Sequence, residues 1–292
     1  MTEHALAAHS TKDASAQLLA PTDPIWRSIR DEALQAVDRD GATGGLFQAL
    51  VLGQPSLEYA LVGVLAARLG DTLWSSDDIS ALFLDVLETD EATLTHLHRD
   101  LLAVLDRDPA CHRLIEPLLF FKGFHALQSY RFSHALWRAG RKDLALFVQS
   151  RASARFQVDI HPGTRIGAGL FLDHATGIVI GETAVIEDDV SVMQNVTLGG
   201  TGKDEGDRHP KVRRGVLVGA GAKVLGNIEL GQFSRVAASS VVLDPVPECA
   251  TVAGIPAKIV ARDICTDDAS MPSVRMDHTM PLQSIVDEGS GI

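Results

Sequence analysis

The sequence predicts an α+β chain: an N-terminal all-helical domain, then a left-handed parallel β-helix, then a flexible C-terminal tail. Three observations carry this expectation. Apolar residues follow a helical period as far as Phe156, an aliphatic residue then recurs every six positions from Ile160, and residues 261–292 lose periodicity altogether. The chain has 292 residues, 46% of them hydrophobic, with a mean hydropathy of +0.10. That is enough apolar surface for a sizeable core and excludes global disorder.

Residues 1–21 are rich in Ala, Ser, Thr and His without an apolar stripe and read as a mobile arm. A helical assembly domain is expected over 22–157. Asp23-Pro24 is an N-cap followed by proline at the first helical position, and Ile25, Ile29, Leu34 and Val37 line one face of the helix it starts. Gly53 and Pro55 break the next helix, Ser56 is placed to cap a helix through Leu69, and further amphipathic segments run near 77–88, 91–105 and 112–121. Two more, over 124–138 and 141–156, are separated by Gly140 as a helix stop.

From 158 to 260 the period is six. Ile160, Ile166, Leu172, Ile180, Ile186, Val192 and Leu198 mark one run, and Val218, Val224, Leu230, Val236 and Val242 a second. Position i+4 is small or branched, as at Thr164, Thr176, Ala184, Val190, Ala222 and Ser240. Each hexapeptide predicts one short strand and a corner, so three make one coil of a triangular solenoid with strands stacked about 4.8 Å apart. Twelve units predict about four coils. Two irregularities interrupt them: a two-residue slip between Leu172 and Ile180, and a polar, glycine-rich inserted loop over 199–217. An acidic stretch carrying Asp263, Asp267, Asp268, Asp277, Asp287 and Glu288 forms the tail.

Charge and cysteine usage bound the function classes. Thirty-eight acids against 26 bases give a net charge of −12, which excludes general nucleic-acid or membrane-surface binding but leaves room for a local basic cluster. Cys111, Cys249 and Cys265 are odd in number and form no CxxC pair, so reduced thiols are expected, with neither a disulfide framework nor a zinc knuckle. No signal peptide is evident, and the most apolar stretch, 57–69, carries Glu58 and Arg68 and is too short to span a bilayer. A soluble, cytoplasmic protein is the expectation.

A solenoid interior is aliphatic, so chemistry must sit on its outer faces or between subunits. Three clusters pair Asp with His: Asp159-Ile160-His161-Pro162, Leu172-Asp173-His174-Ala175-Thr176-Gly177, and Gly206-Asp207-Arg208-His209-Pro210 in the inserted loop. Imidazole accepts a proton near neutral pH and a carboxylate fixes its tautomer, which is what a general base requires.

Those strings, with Phe156-Gln157-Val158 before the first, Thr197-Leu198-Gly199-Gly200-Thr201-Gly202-Lys203, Arg107-Asp108-Pro109-Ala110 and Phe121-Lys122-Gly123-Phe124-His125-Ala126-Leu127-Gln128, resemble the serine O-acetyltransferase family. The resemblance covers roughly residues 24–260 and implies transfer of acetyl from acetyl-CoA, a co-substrate rather than a resident cofactor, to the hydroxyl of L-serine. It implies His174 as general base with Asp159 as its orienting partner. Asp108 and Asp173 would face the substrate ammonium, Arg208 would grip the carboxylate, and His209 would position hydroxyl and carboxylate. Gly200 would donate its backbone N–H to the oxyanion.

For the coenzyme, the basic stretch 203–214, with Lys203 foremost, and Lys258 are candidates for phosphates, while Ala220 and Ala238 leave space for the pantetheine arm. The resemblance further implies a homohexamer built as a dimer of trimers, inhibition by L-cysteine, and docking of the C-terminal Ile292 into O-acetylserine sulfhydrylase. Rival readings are a hexapeptide acyltransferase for sugars or nucleotide sugars, a solenoid carbonic anhydrase with zinc held between subunits by His161, His174 and His209, and a scaffold without catalysis. No resident metal is expected under the leading reading.

Overall fold

A computed structural model describes residues 23–202, 205–262, 265, 268 and 271–278. The arm 1–21, Lys203 and Ile292 lie outside these residues. Helices run α1(Pro24–Arg39), α2(Gly44–Phe47), α3(Leu57–Leu69), α4(Ser76–Thr89), α5(Glu91–Arg107), α6(Ile115–Phe120), α7(Lys122–Arg138) and α8(Lys142–Phe156). Asp23 caps α1 by accepting from the Ile25 N–H, and Gly140 stops α7 with a φ of +79°. Ser56 does not cap α3. Its hydroxyl is buried without a hydrogen-bond partner, while the capping box falls instead to Ser75 and Asp78 at the head of α4. Among the described residues no single helix is long and apolar enough to cross a membrane. The apolar α3 is buried on nearly every side, and its residues join Ile29, Phe83 and Phe132 in the core.

The solenoid follows. Its first face stacks β1(Val158–Ile160), β4(Ile178–Ile180), β7(Thr197–Gly199), β10(Lys223–Leu225) and β13(Val241–Val242). The second stacks β2(Arg165–Ile166), β5(Val185–Ile186), β8(Lys211–Val212) and β11(Glu229–Leu230). The third stacks β3(Phe171–Leu172), β6(Ser191–Val192), β9(Leu217–Val218), β12(Arg235–Val236) and β14(Ala250–Gly254), with β15(Ala257–Arg262) closing it antiparallel. All other pairs are parallel, and the hexapeptide residues point inward: Val192, Leu198, Val212, Val218, Val224 and Leu230 are all 0% exposed.

Register locates every irregularity at a corner. A regular coil is eighteen residues, as between Val179 and Thr197 or Lys223 and Val241. Ile160 stands opposite Ile180, twenty on, so two residues are added between β3 and β4. Thr197 stands opposite Lys223, twenty-six on, so eight are added between β7 and β8. Arg235 stands opposite Thr251, sixteen on, so the last corner is two short.

The inserted loop is therefore narrower than the expected 199–217. The repeat resumes at Lys211, and Val212 is an interior hexapeptide residue that makes the second face four strands deep rather than three. In the lengthened first corner Thr176 is exposed, and Ile178 fills the interior place expected of it.

Helix α7 covers the open start of the solenoid. Tyr130 donates its hydroxyl to the Thr164 carbonyl at 2.6 Å, Arg131 donates to the Gly167 carbonyl at 2.8 Å, and His134 meets the Pro162 carbonyl at 2.8 Å. The buried Asp100 carboxylate takes Arg131 at 2.6 Å and the Gly169 N–H at 2.9 Å, so this ion pair is hydrogen-bonded on both sides of the seam. From the tail, α9(Pro272–Arg275) lies on the third face, where Ser191 donates to the Ser273 carbonyl at 2.8 Å and Arg235 to the Asp277 carbonyl at 2.7 Å.

One cysteine expectation is corrected. Cys249 and Cys265 form a disulfide, with Cα atoms 6.0 Å apart. The β14–β15 hairpin, in which Ala250 stands opposite Arg262, returns the chain to its start and brings together two residues that look unrelated in sequence. Cys111 stays free and buried, and burial pushes its thiol up to about 11, which leaves it unreactive.

Candidate active site

The corner between the third and first faces carries the first half of the site. Leu172, Val192, Val218, Val236 and Val252 are in register up the third face. Two residues beyond each, His174, Gln194, Ala220, Ala238 and Gly254 therefore follow one edge of the prism. Beside Gly254, Lys258 stands opposite Ala253 and is exposed. The sequence-expected base, the two alanines and the lysine share one edge.

At its lower end a cleft of about 320 Å³ is lined by Asp108, Phe121, Lys122, Asp173 and His174. Gly177 (φ +78°) takes the left-handed backbone that Asn195 and Gly221 take in the corners above, and the two added residues bring it also to His174 (φ +50°) and Ala175 (φ +60°). Such conformations cost of order 1–2 kcal/mol for a residue with a Cβ, which the corner's hydrogen bonds offset: the Gly177 N–H reaches the Gln157 carbonyl and the Asn195 N–H the Thr176 carbonyl, each at 2.7 Å. Lys122 donates its ammonium to the Thr176 hydroxyl. The next residue must be glycine for α7 to come this close: a Cβ on Gly123 would lie 2.1 Å from the Leu172 carbonyl oxygen.

His174 projects outward, its side chain 76% exposed, with Nε2 at 3.8 Å from Asp173 Oδ1. Burial raises the Asp173 pKa and the Asp108 charge adds to it, while the His174 imidazole opposes. Two carboxylates facing one cavity form a receptor for a cationic group. Asp108 does not cap a helix, because α6 begins at Ile115. It accepts instead from the Ala110 N–H at 2.9 Å within a turn. Asp159 sits on β1 with Oδ1 taken by Gln149 Nε2 at 2.7 Å, and no hydrogen bond joins it to His174.

Arg208 and His209 occupy a different edge, between the first and second faces. Thr183 organises it. Its backbone N–H lies 3.2 Å and its hydroxyl 2.8 Å from His209 Nδ1, while the hydroxyl oxygen accepts from the Arg208 N–H at 3.0 Å. A fixed backbone donor on Nδ1 makes that nitrogen an acceptor, so neutral His209 carries its proton on Nε2. Burial and the neighbouring Arg208 charge both lower its pKa. The ring lies flat on Gly181, where a Cβ would fall 2.0 Å from Nε2. Arg208 pairs with Glu182 at 2.9 Å, and Gly200 runs alongside its backbone.

The basic stretch is not a free counterfield for phosphates. Lys211 is held by Asp207 at 2.6 Å, Arg213 by Glu187 at 2.7 Å, and Arg214 by Asp268 at 2.8 Å. These cations mostly tie one coil to the next.

Within one chain the Asp108–Asp173–His174 group and the Arg208–His209 group do not meet, because the first face lies between them. Sequence reasoning assigned no task to Lys122, Thr176, Gln149, Gly181, Glu182 or Thr183. Lys122 and Thr176 stood inside quoted strings, and the others become visible only once the coils are stacked. Among the described residues of one chain no group of three or more His, Cys, Asp or Glu side chains is placed to hold a metal.

The sequence profile of the family described as "Serine acetyltransferase, N-terminal" matches residues 25–129. The serine acetyltransferase of Haemophilus influenzae is 48% identical over 239 residues, covering 82% of this chain and 90% of the relative. Among solved structures, the serine acetyltransferase of Brucella abortus in complex with coenzyme A superposes with a TM-score of 0.82 at 55% identity, over 84% of this chain and 98% of that one. A serine acetyltransferase in complex with cysteine gives a TM-score of 0.84 at 46% identity, over 88% and 98%. At this identity and coverage the chain belongs to the serine acetyltransferase family.

Proposed function

We propose that this enzyme transfers acetyl from acetyl-CoA to the hydroxyl of L-serine, releasing coenzyme A and O-acetyl-L-serine for cysteine synthesis. The observation that carries the reading is the cleft in which Asp108 and Asp173 face one another beside His174. The carboxylates receive the ammonium of an amino acid and leave its hydroxyl near the imidazole. His174 removes the hydroxyl proton as oxygen attacks the thioester carbon. The carbon–sulfur bond then breaks and the proton passes to the departing thiolate. The Gly200 N–H receives the oxyanion. Asp159 keeps one oxygen on Gln149, and its second oxygen takes the imidazolium once His174 swings inward from its exposed position.

Arg208 and His209 complete the clamp from a neighbouring copy. A threefold arrangement with the first face toward the axis sets the His174 edge of one subunit against the Arg208 edge of the next. Pairing of two such trimers through the helical halves gives the homohexamer. The thioester arm follows the edge past Ala220 and Ala238 toward Lys258. Relatives solved with coenzyme A and with cysteine support both ligand classes, and cysteine fits the same ammonium and carboxylate receptors. The terminal Ile292, outside the described residues, is proposed to dock into O-acetylserine sulfhydrylase.

The test is release of free thiol from acetyl-CoA with L-serine, with a panel of sugars in parallel. Serine-dependent release is expected, with inhibition by L-cysteine. Release with sugars alone would overturn the reading in favour of a sugar acyltransferase.

A further inference from the structure

We infer that Lys122 is a positioning residue for the general base, acting through Thr176 to hold the two-residue expansion of the first coil in the one conformation that presents His174 to the cleft. The inference rests on the assignment of His174 made above.

Four observations converge on it. Register places two additional residues between β3 and β4 and leaves the later corners of the same edge without them. Those residues force consecutive left-handed backbone at His174 and Ala175, a conformation that residues with a Cβ leave readily when nothing holds them. The corner's internal bonds are short-range: the Ala175 N–H reaches the Asp173 carbonyl at 2.5 Å, and the Thr176 N–H reaches the His174 carbonyl at 2.8 Å. Two links run from the helical half to the corner: the Gln157 carbonyl accepts from the Gly177 N–H at 2.7 Å, and Lys122 donates to the Thr176 hydroxyl, a side-chain link made possible by the approach of Gly123 to Leu172 and Ala175.

The direction of causation follows from stiffness. Lys122 starts α7, which is anchored along its length by Tyr130, Arg131 and His134 to the first coil. The corner's far end is tied by the backbone, through the Gly177 N–H to Gln157 and the Thr176 carbonyl to the Asn195 N–H, and His174 at its apex carries a side chain 76% exposed. Losing the ammonium therefore loosens the apex at His174 between those backbone ties and leaves the helix in place. The chemistry requires a near-attack geometry, and a displacement of about 1 Å at a reacting group costs of order a hundredfold in rate. Substrate ammonium recognition by Asp108 and Asp173 does not pass through Thr176, so binding and turnover should separate.

Lys122→Met and Thr176→Val, each close in shape to the original, are compared singly and together. Each is expected to lower kcat about tenfold or more with the KM for serine within about twofold, and the double variant is expected to lose no more than the larger single loss. Lys122→Arg, which retains a cationic donor, is expected to recover most of kcat. Additive losses, a fall in thermal stability with kcat intact, or a rise in serine KM equal to the fall in kcat would overturn the proposal.

A second measurement needs no substrate. In NMR spectra of the hexameric or trimeric protein, the His174 imidazole resonances are expected to move from one set in the wild type to broadened or multiple sets in Lys122→Met. An unchanged single set would overturn the positioning role even if the acceptor were not serine. Conversely, a wild type inactive with serine but showing this spectral change would count against the activity and leave the corner's dependence on Lys122 standing.

Discussion

Two corners of the solenoid depart from the eighteen-residue coil by addition, and they are held in opposite ways. The corner at 173–177 adds two residues and is held from outside, by Lys122 and the close approach of Gly123 on a helix of the other half. The corner at 200–210 adds eight and is held from within, by Thr183, by the Arg208–Glu182 and Lys211–Asp207 pairs, and by the seat of His209 on Gly181. The short one leaves its imidazole exposed and free to turn. The long one buries its imidazole and fixes the tautomer. A general base that must shuttle a proton suits the first, and a fixed N–H donor suits the second.

The contrast can be broken most forcefully at the short corner. His174→Ala is expected to lower kcat by about 10²–10⁴-fold with serine KM little changed, measured by thiol release. The support beneath that corner can be loosened by acid. His125, one turn into α7, is wholly buried, donates to the Leu118 carbonyl at 2.8 Å, and has its pKa lowered to about 4 by burial. Between pH 6.5 and 4 the unfolded chain therefore binds a proton there that the native chain refuses. Stability is fully present above 6.5 and is lost as pH falls, by up to about 3 kcal/mol. His125→Gln is expected to flatten this limb in denaturant titrations across that pH range.

At the long corner, Arg208→Lys retains charge but loses the planar fork. Serine KM is expected to rise about tenfold to a hundredfold, in line with the ~1.5–3 kcal/mol of hydrogen bonding to a charged group, with the KM for acetyl-CoA unchanged. The smallest effect distinguishes the two corners by pH. Burial raises the Asp173 pKa, so protonation weakens its hold on an ammonium at a higher pH than for an ordinary carboxylate. Serine KM should climb as pH falls into that range in the wild type and stay level in Asp173→Asn. The sign for stability is the reverse of His125. A raised carboxylate costs stability above its folded pKa, so Asp173→Asn should raise Tm slightly at pH 7 and leave it unchanged in strong acid.

The six-residue period was enough to place the interior ladder, because Ile160 through Leu198 each face inward and nothing else repeats at that interval. Val212 escaped because Lys211, Arg213 and Arg214 surround it. On a face laced by ion pairs between coils, charged outward positions look like loop. The slip at Leu172 was visible as arithmetic, but that it forms a left-handed corner beside Lys122 depends on stacking. Candidate residues near each other in sequence, such as Asp173-His174 and Arg208-His209, were found as pairs. Their separation onto two edges required knowing which face follows which. The Gln149 contact to Asp159 and the disulfide arise from chain reversals that no local pattern announces.

The antiparallel β15 has a consequence for how copies of this protein behave in a crowded solution. A stack of parallel coils with an open final rung is a template on which another chain can add, and nothing in the repeat itself limits growth. Here the third face finishes on a strand that runs the other way, after a turn at Ile255-Pro256 and under a covalent tie from Cys249 to Cys265. An incoming parallel coil meets donors and acceptors spaced for the wrong direction. The rung that ends the third face thus works as a stopper against growth of the stack from that end.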